Sequence, residues 1–162
     1  MKKFAKVALM AIIGLFALVP MINVHATEGV KVVTDEEELV AAINDETVTT
    51  IQLANDITTT AKVNILRDVT IDGANHKITL DGDHTTWDST YVLHVYKVNV
   101  TLKNIALSNA NGGLLVNGGN VTVEGTLDVS GNHFGGVELS KGNGVETLPV
   151  INFNNATVVN TT

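Results

Sequence analysis

A degenerate repeat constrains the fold of this chain more than any other feature. Its clearest copy is residues 68–80, DVTIDGANHKITL, where an alternating strand, a bend and a second alternating strand follow one another. Three further copies lie at residues 100–107, 121–129 and 150–158. Alignment on Thr70, Thr101, Thr122 and Ile151 separates the copies by 31, 21 and 29 residues. A period in the twenties that insertions lengthen is typical of a solenoid.

Apolar and polar side chains alternate with a period of two from Thr49 onward, which indicates strands with one buried and one wet side. An antiparallel sandwich and a parallel β-helix both fit many short strands of this kind. Because the copies resemble one another, we predict an all-β parallel β-helix, whose coils enclose a core and face water outside. Asparagines near the bends are expected to hydrogen-bond from coil to coil. They are Asn104, Asn109, Asn117, Asn120, Asn132, Asn154 and Asn155.

One helix is predicted ahead of the strands, over residues 34–44. Thr34 is the expected N-cap, with Glu37 completing a capping box, and the acidic first turn complements the helix dipole. An apolar stripe is expected at Leu39, Val40, Ala42 and Ile43. We interpret residues 27–48 as a linker and an N-terminal capping helix that covers the first coil, and residues 49–162 as the β-helix.

Residues 1–26 have the organisation of a secretory signal peptide. Three lysines precede an uncharged apolar run at residues 7–19, and small residues precede a predicted cleavage point after Ala26. The alternative, an uncleaved membrane anchor, is disfavoured because the run is short for a bilayer. The sequence therefore predicts a secreted or cell wall-associated protein with no membrane span in the mature chain.

The charge and the missing cysteines exclude several functions. The net charge is −7, and it becomes −10 when the leader with its three lysines is removed. An acidic surface repels phosphate backbones, so nucleic acid is not an expected partner. The chain has no cysteine, which excludes disulfides, thiol catalysis and cysteine-based zinc sites.

Four segments carry a resemblance to a known family: DEEEL at 35–39, IQLANDI at 51–57, VTIDGANH at 69–76 and VTLKNI at 100–105. In this order they resemble the pectate-lyase-like adhesive domains of exported Gram-positive bacterial proteins. The resemblance covers nearly all of the mature chain. It implies a right-handed parallel β-helix of the pectin-lyase type at the cell surface. It does not imply lyase activity, because many such domains are regarded as binding or structural modules.

The one long excursion from the repeat, residues 81–91, is the candidate ligand-contact loop. It holds three carboxylates, a histidine, a tyrosine and the only tryptophan. Aromatic faces stack on sugar rings while carboxylates hydrogen-bond hydroxyl groups. The candidate ligand-binding residues are Asp83, His84, Trp87, Asp88 and Tyr91. Two alternatives remain open, a solvated loop with Trp87 packed on the coil and a calcium contact by Asp81, Asp83 and Asp88; no other cofactor is expected.

Catalytic groups are sparse elsewhere, and no residue is predicted to be catalytic. The single arginine of the mature chain, Arg67, is beside Asp68, and local pairing at the surface is its expected role rather than proton abstraction. Outward positions are predicted for Asp72, Glu124 and Glu138, which could align across coils as glycosidase carboxylates do. Solubilising charges are the simpler interpretation. His94 is predicted to face water, and no nucleophile-elbow motif is present.

These observations predict a non-catalytic surface module for adhesion or glycan contact. Its expected partner is a polysaccharide or a host or cell-surface glycoprotein. One alternative is the N-terminal fragment of a polysaccharide lyase or glycoside hydrolase, because the strand pattern continues to Thr162 without a cap and suggests truncation. The other alternative is a structural spacer that holds another domain away from the wall.

Overall fold

The computed structural model describes residues 29–142 and 144–161, so the predicted signal peptide lies outside the described residues. Strands dominate this part of the chain, and one helix accompanies them. The elements are β1 Val30–Val33, α1 Glu36–Asn44, β2 Thr50–Leu53, β3 Ile57–Thr59, β4 Val63–Ile65, β5 Val69–Asp72, β6 Lys77–Leu80, β7 Tyr91–Tyr96, β8 Asn99–Ser108, β9 Gly112–Asn117, β10 Asn120–Asp128, β11 Gly135–Ser140, β12 Val150–Phe153 and β13 Thr157–Val159.

Every strand pair among the described residues is parallel, and the two partners of each pair come from different coils. The first sheet follows the order β1-β2-β5-β8-β10-β12, with β3, β6 and β13 joined to its side. The second sheet follows the order β4-β7-β9-β11. Stacked parallel coils of this kind make the fold an all-β parallel solenoid, and the antiparallel sandwich is excluded.

Strand register confirms most of the repeat alignment and corrects its last step. Thr70 pairs with Thr101, and Thr101 pairs with Thr122. Ile151 instead pairs with Val121, so the last copy is offset by one residue from the predicted alignment. The reason is burial: Ile151 packs against the core, as Val121 does, and a slip of one residue would turn it outward.

The repeat also begins earlier than the sequence indicated. Strand β1 pairs with β2 from Val30 opposite Thr50, and Thr50 pairs in turn with Thr70. These first two steps are 20 residues each, shorter than the later ones. The segment interpreted as linker and helix therefore contains the first strand, and α1 is inserted between β1 and β2.

The helix begins one residue later than its predicted capping box. Asp35 is the N-cap, because its extended backbone places Oδ1 2.9 Å from the Glu38 backbone nitrogen. Glu38 Oε2 reaches back and accepts from the Thr34 nitrogen at 2.8 Å and from the Thr34 hydroxyl at 2.9 Å. The Asp35 side chain thus caps the Glu38 nitrogen while the Glu38 side chain returns to Thr34, and the predicted pair of Thr34 and Glu37 is wrong.

Three of the four predicted stripe residues, Leu39, Ala42 and Ile43, are buried in the common core, and α1 contacts β1, β2 and β3. Val40 is 42% exposed, so its place in the stripe is wrong. The spacing of 100° per residue turns it to the flank of the helix. Within 29–142 and 144–161, no helix is long and apolar enough to cross a membrane.

Asparagine amides connect neighbouring coils, although mostly through backbone groups. Asn132 Nδ2 donates to the Leu107 carbonyl at 2.8 Å, and its Oδ1 accepts from the Ala110 nitrogen at 3.0 Å. Amide-to-amide contact occurs between Asn120 and Asn99, at 2.9 Å. These bonds satisfy polar groups at the bends, where the strand ladders are interrupted.

Candidate functional site

His84 forms the centre of the loop between β6 and β7, residues 81–90, and is 9% exposed. Its Nδ1 lies 2.9 Å from Asp88 Oδ2, and its Nε2 lies 2.9 Å from the Asp81 carbonyl oxygen. Both partners are acceptors, so both ring nitrogens donate when the imidazole is protonated. The hydrogen bond that His84 donates to Asp88, followed by the one to the Asp81 carbonyl, raises the pKa of His84. Hydrogen bonds from Thr90 and then from His84 lower the pKa of Asp88.

Asn111, fully buried on the next coil, fastens this loop to the solenoid. Its Oδ1 accepts from the Asp88 backbone nitrogen at 2.7 Å. Its Nδ2 donates to the carbonyls of His84 at 2.8 Å and Thr86 at 3.0 Å. These three hydrogen bonds therefore fix the loop backbone on both sides of Trp87.

Trp87 and Phe134 form one wall of an open groove. Their ring centroids lie 5.4 Å apart with the planes at 83°, and the side chains remain 55% and 53% exposed. The adjoining space measures about 180 Å³. We call it the aromatic groove; its lining residues are Trp87, Tyr91, Asn111, Gly112, Phe134, Gly135, Val137 and Glu138.

Tyr91 and Glu138 place one charged group in the aromatic groove. The buried Tyr91 hydroxyl donates to Glu138 Oε2 at 2.5 Å. Burial first, and then the Glu138 carboxylate, raises the pKa of Tyr91, so the phenol stays a neutral donor. Gly112 lies against the Tyr91 ring, where a Cβ atom would be 2.8 Å from Cε1. The Tyr91 side chain is thus buried beside Gly112, whereas Glu138 is exposed.

The structure divides the five predicted ligand-binding residues into two groups. Trp87 and Tyr91 line the aromatic groove. His84 and Asp88 hold the loop behind it, and Asp83 Oδ1 accepts from the Thr85 nitrogen and hydroxyl at 3.0 and 2.7 Å. Whether any of the five contacts a ligand stays a prediction.

Sequence reasoning missed Phe134 as a partner of Trp87, and Glu138 as a partner of Tyr91. The signal was weak but present: Trp87 precedes β7, Phe134 precedes β11, and both strands belong to the second sheet. To recognise that Trp87 and Phe134 meet, one must know that β9 lies between β7 and β11 in the sheet. The irregular coil lengths hide this strand order in the sequence.

The calcium hypothesis for Asp81, Asp83 and Asp88 stays a prediction. The hydrogen bonds described above engage the carboxylates of Asp83 and Asp88 within the loop. Across the part of the chain that the structure describes, no group of three or more His, Cys, Asp or Glu side chains is placed to hold a metal ion.

Arg67 has a structural environment that differs from its predicted pairing with the neighbouring aspartate. Its guanidinium donates to the carbonyls of Ala42 at 2.7 Å, Ile43 at 2.6 Å and Val48 at 2.8 Å. The Asp68 carboxylate accepts instead from the backbone nitrogen and amide of Asn99. The prediction of a local Arg67–Asp68 ion pair is wrong, because the end of α1 offers the guanidinium a better-matched set of acceptors.

The alternative in which Asp72, Glu124 and Glu138 align across adjacent coils does not match the strand register. Lys103 stands in register between Asp72 and Glu124, and its Nζ lies 2.7 Å from Glu124 Oε2. Glu138 belongs to the second sheet, beside Tyr91. None of these three carboxylates is the direct register partner of another, and solubilising charge remains the simpler interpretation.

His94 is buried, contrary to its predicted exposure. Asn64 Oδ1 lies 3.0 Å from its Nδ1, and Asn117 Oδ1 lies 2.7 Å from its Nε2, so side chains of the flanking coils cover the ring. Desolvation by this burial lowers the pKa of His94. Alternation alone could not show that both sides of β7 are covered.

Comparison with known proteins gives one finding. A family model described as a pectate lyase-like adhesive domain matches residues 30–162. Searches of curated proteins and of solved structures returned no match. The matched range begins at β1 and includes the aromatic groove.

Proposed function

Because the chain belongs to the family of pectate lyase-like adhesive domains, we propose that it is a non-catalytic module that contacts glycans at the cell surface. Cleavage of the leader after Ala26 delivers it to the outside of a Gram-positive cell, secreted or associated with the wall. Its partners are polysaccharides or the glycans of host or cell-surface glycoproteins. The coils wind right-handed, as in pectin-lyase-type folds, and α1 caps the first of them.

The aromatic groove is the observation that carries this proposal. Two large aromatic side chains stay more than half exposed on an acidic surface, although the hydrophobic effect favours covering them. His84 and Asn111 hold the loop that carries Trp87. The loop is therefore already ordered in the folded protein, and its ordering adds little entropic cost to binding. Rigid aromatic side chains beside a few polar groups are what sugar rings require.

The surroundings of Arg67 support a binding role over a lyase role. A lyase base must be free to approach the substrate proton. The Arg67 guanidinium is half-buried and donates to four backbone carbonyls, including that of Asp68. The attachment of α1 to the solenoid therefore accounts for the role of Arg67.

Binding to insoluble cell-wall glycans tests the proposal. The wild-type chain is expected to sediment with at least one of them, and Trp87→Ala to weaken that binding about tenfold, since an aromatic contact contributes roughly 1–2 kcal/mol. Leu66→Ala is the matched control, because Leu66 is 65% exposed but lies in the groove beside α1. The proposed function is refuted if Trp87→Ala and Phe134→Ala bind every retained glycan as the wild type does.

Combining two substitutions extends the same test to the loop. The double variant Trp87→Ala, Asp83→Ala is expected to bind less glycan than wild type while retaining the wild-type circular dichroism spectrum. Unchanged binding would remove the loop from the proposal.

A further inference from the structure

We infer that the aromatic groove selects sugars that carry a protonated amino group, such as a hexosamine without its acetyl group. This inference rests on the proposed glycan-binding function and specifies its ligand class. It follows from three properties of the groove: its negative charge, the exposed rings of Trp87 and Phe134, and the buried ring of Tyr91.

The charge of the aromatic groove is negative. Among its lining residues Glu138 alone is charged, and no lysine, arginine or histidine lines it. Tyr91 donates to one oxygen of this carboxylate and thereby holds it, and Glu138 as a whole is exposed. Within the described part of the chain, no ion pair neutralises Glu138. A cationic ligand is favoured here, and a uronate would be repelled.

The exposed rings of Trp87 and Phe134 also favour a positively charged ligand. A cation over an aromatic face is attracted by the ring quadrupole, most strongly by tryptophan. Trp87 and Phe134 stand nearly perpendicular, so the edge of one ring meets the face of the other and more than half of each side chain stays free. An ammonium group in the groove would therefore have aromatic carbon on one side and the Glu138 carboxylate on the other.

Because the Tyr91 ring is buried, the groove suits an amino sugar better than a small quaternary ammonium ion. Aromatic cages for methylated ammonium groups surround the cation with several ring faces. Here the Tyr91 side chain is buried, and Gly112 lies so close that a Cβ atom there would be 2.8 Å from the ring. Two rings and one carboxylate leave the groove open, which suits a unit of an extended chain. The sugar ring stacks on aromatic carbon while its ammonium group meets Glu138.

Calorimetry with the mature chain at low salt tests the inference, using the β-1,4-linked glucosamine tetramer, its fully N-acetylated counterpart and a galacturonate tetramer. We expect the glucosamine tetramer to bind three- to tenfold more tightly than the acetylated one, and the galacturonate tetramer least. Raising the salt should shrink the preference, because exposed charges are screened. Glu138→Gln, which can still accept from Tyr91, should bind both hexosamine tetramers equally.

Glu124→Gln is the matched control, since Glu124 is also a strand carboxylate with a side chain 43% exposed, but it pairs with Lys103 on the other sheet. It should keep the wild-type preference. Equal binding of the two hexosamine tetramers to wild type, or an unchanged preference in Glu138→Gln, overturns the inference and leaves the proposed function standing. Tetramethylammonium that competes as well as the glucosamine tetramer overturns the sugar assignment. If none of the three tetramers binds, the inference is overturned; if the chain also sediments with no insoluble cell-wall glycan, the proposed function is refuted as well.

Discussion

Removing the guanidinium of Arg67 is expected to detach α1 from the solenoid. The last carbonyls of a helix have no partners within it, and two of those in α1, from Ala42 and Ile43, accept from this side chain. A third bond reaches Val48 in the connection that follows. Arg67 itself comes one coil later, just before β5, so its side chain joins the helix to the core.

The expected cost of Arg67→Ala is about 3 kcal/mol in the free energy of unfolding. Bonds from a charged donor contribute about 1.5–3 kcal/mol each when shielded. The site is half-buried, so water can replace part of each hydrogen bond when the guanidinium is removed. About 1 kcal/mol for each of the three bonds is therefore the better figure. The favourable effect of a cation at a helix C-terminus, about 0.5 kcal/mol, is included in this total. Arg67→Lys should recover about half, because an ammonium group lacks the planar fork.

Urea unfolding followed by circular dichroism measures the total, and hydrogen exchange locates it. In Arg67→Ala the amides of α1 should exchange faster while those of β8 change less, since the helix opens locally. Leu66→Ala, at a neighbouring exposed position, should stay within about 0.5 kcal/mol of wild type. If Arg67→Ala also stays within that range and α1 exchanges as before, the guanidinium bonds do not hold the helix and the reasoning fails.

Three further changes test other parts of the fold. Thr59→Val should raise the unfolding free energy by about 1 kcal/mol in urea titration, because the buried hydroxyl has no partner among the described residues. Gly73→Ala should lower the same quantity by more than about 2 kcal/mol, since a Cβ atom would lie 2.4 Å from a backbone oxygen of the next coil. The pairing of His84 with Asp88 should make loop stability depend on pH. The raised pKa of His84 gives a contribution that is complete below 6.5 and lost as pH rises through that pKa, and the lowered pKa of Asp88 gives one that is complete above 3.8 and lost as pH falls through it. Fluorescence of Trp87, the single tryptophan, should therefore be constant between those two values and change outside them, and His84→Ala should abolish the change on the alkaline side.

The repeat was predictable because inward positions recur with a period of two and equivalent positions stack. Val69, Val100 and Val121 illustrate this, since all three are buried and paired in register. The first strand escaped prediction because it lies before the helix, and its partner Thr50 begins a coil of only 20 residues. The slip at Ile151 arose because alternating sequences align almost equally well at neighbouring offsets, and only packing decides.

The candidate site was half-predictable for a related reason. The concentration of aromatic and acidic residues at 81–91 marked the loop, because such a cluster is unusual in a chain with 4% aromatic residues. Composition cannot distinguish His84, whose ring nitrogens are both occupied within the loop, from Trp87, which is exposed. That distinction depends on Asn111, a residue of another coil.

The aromatic groove forms because the middle coil has no side chain at position 112. Tyr91, Gly112 and Gly135 are consecutive partners in the second sheet, so the coils that carry Trp87 and Phe134 are two steps apart, about 9.6 Å along the axis. A side chain at position 112 would collide with Tyr91 and narrow the space beside both rings. Glycine there lets Tyr91 reach Glu138 across the middle coil and lets Trp87 meet Phe134. The contact surface is therefore built by combining an excursion on one coil with a missing side chain on the next, which the stacking of the solenoid brings into register.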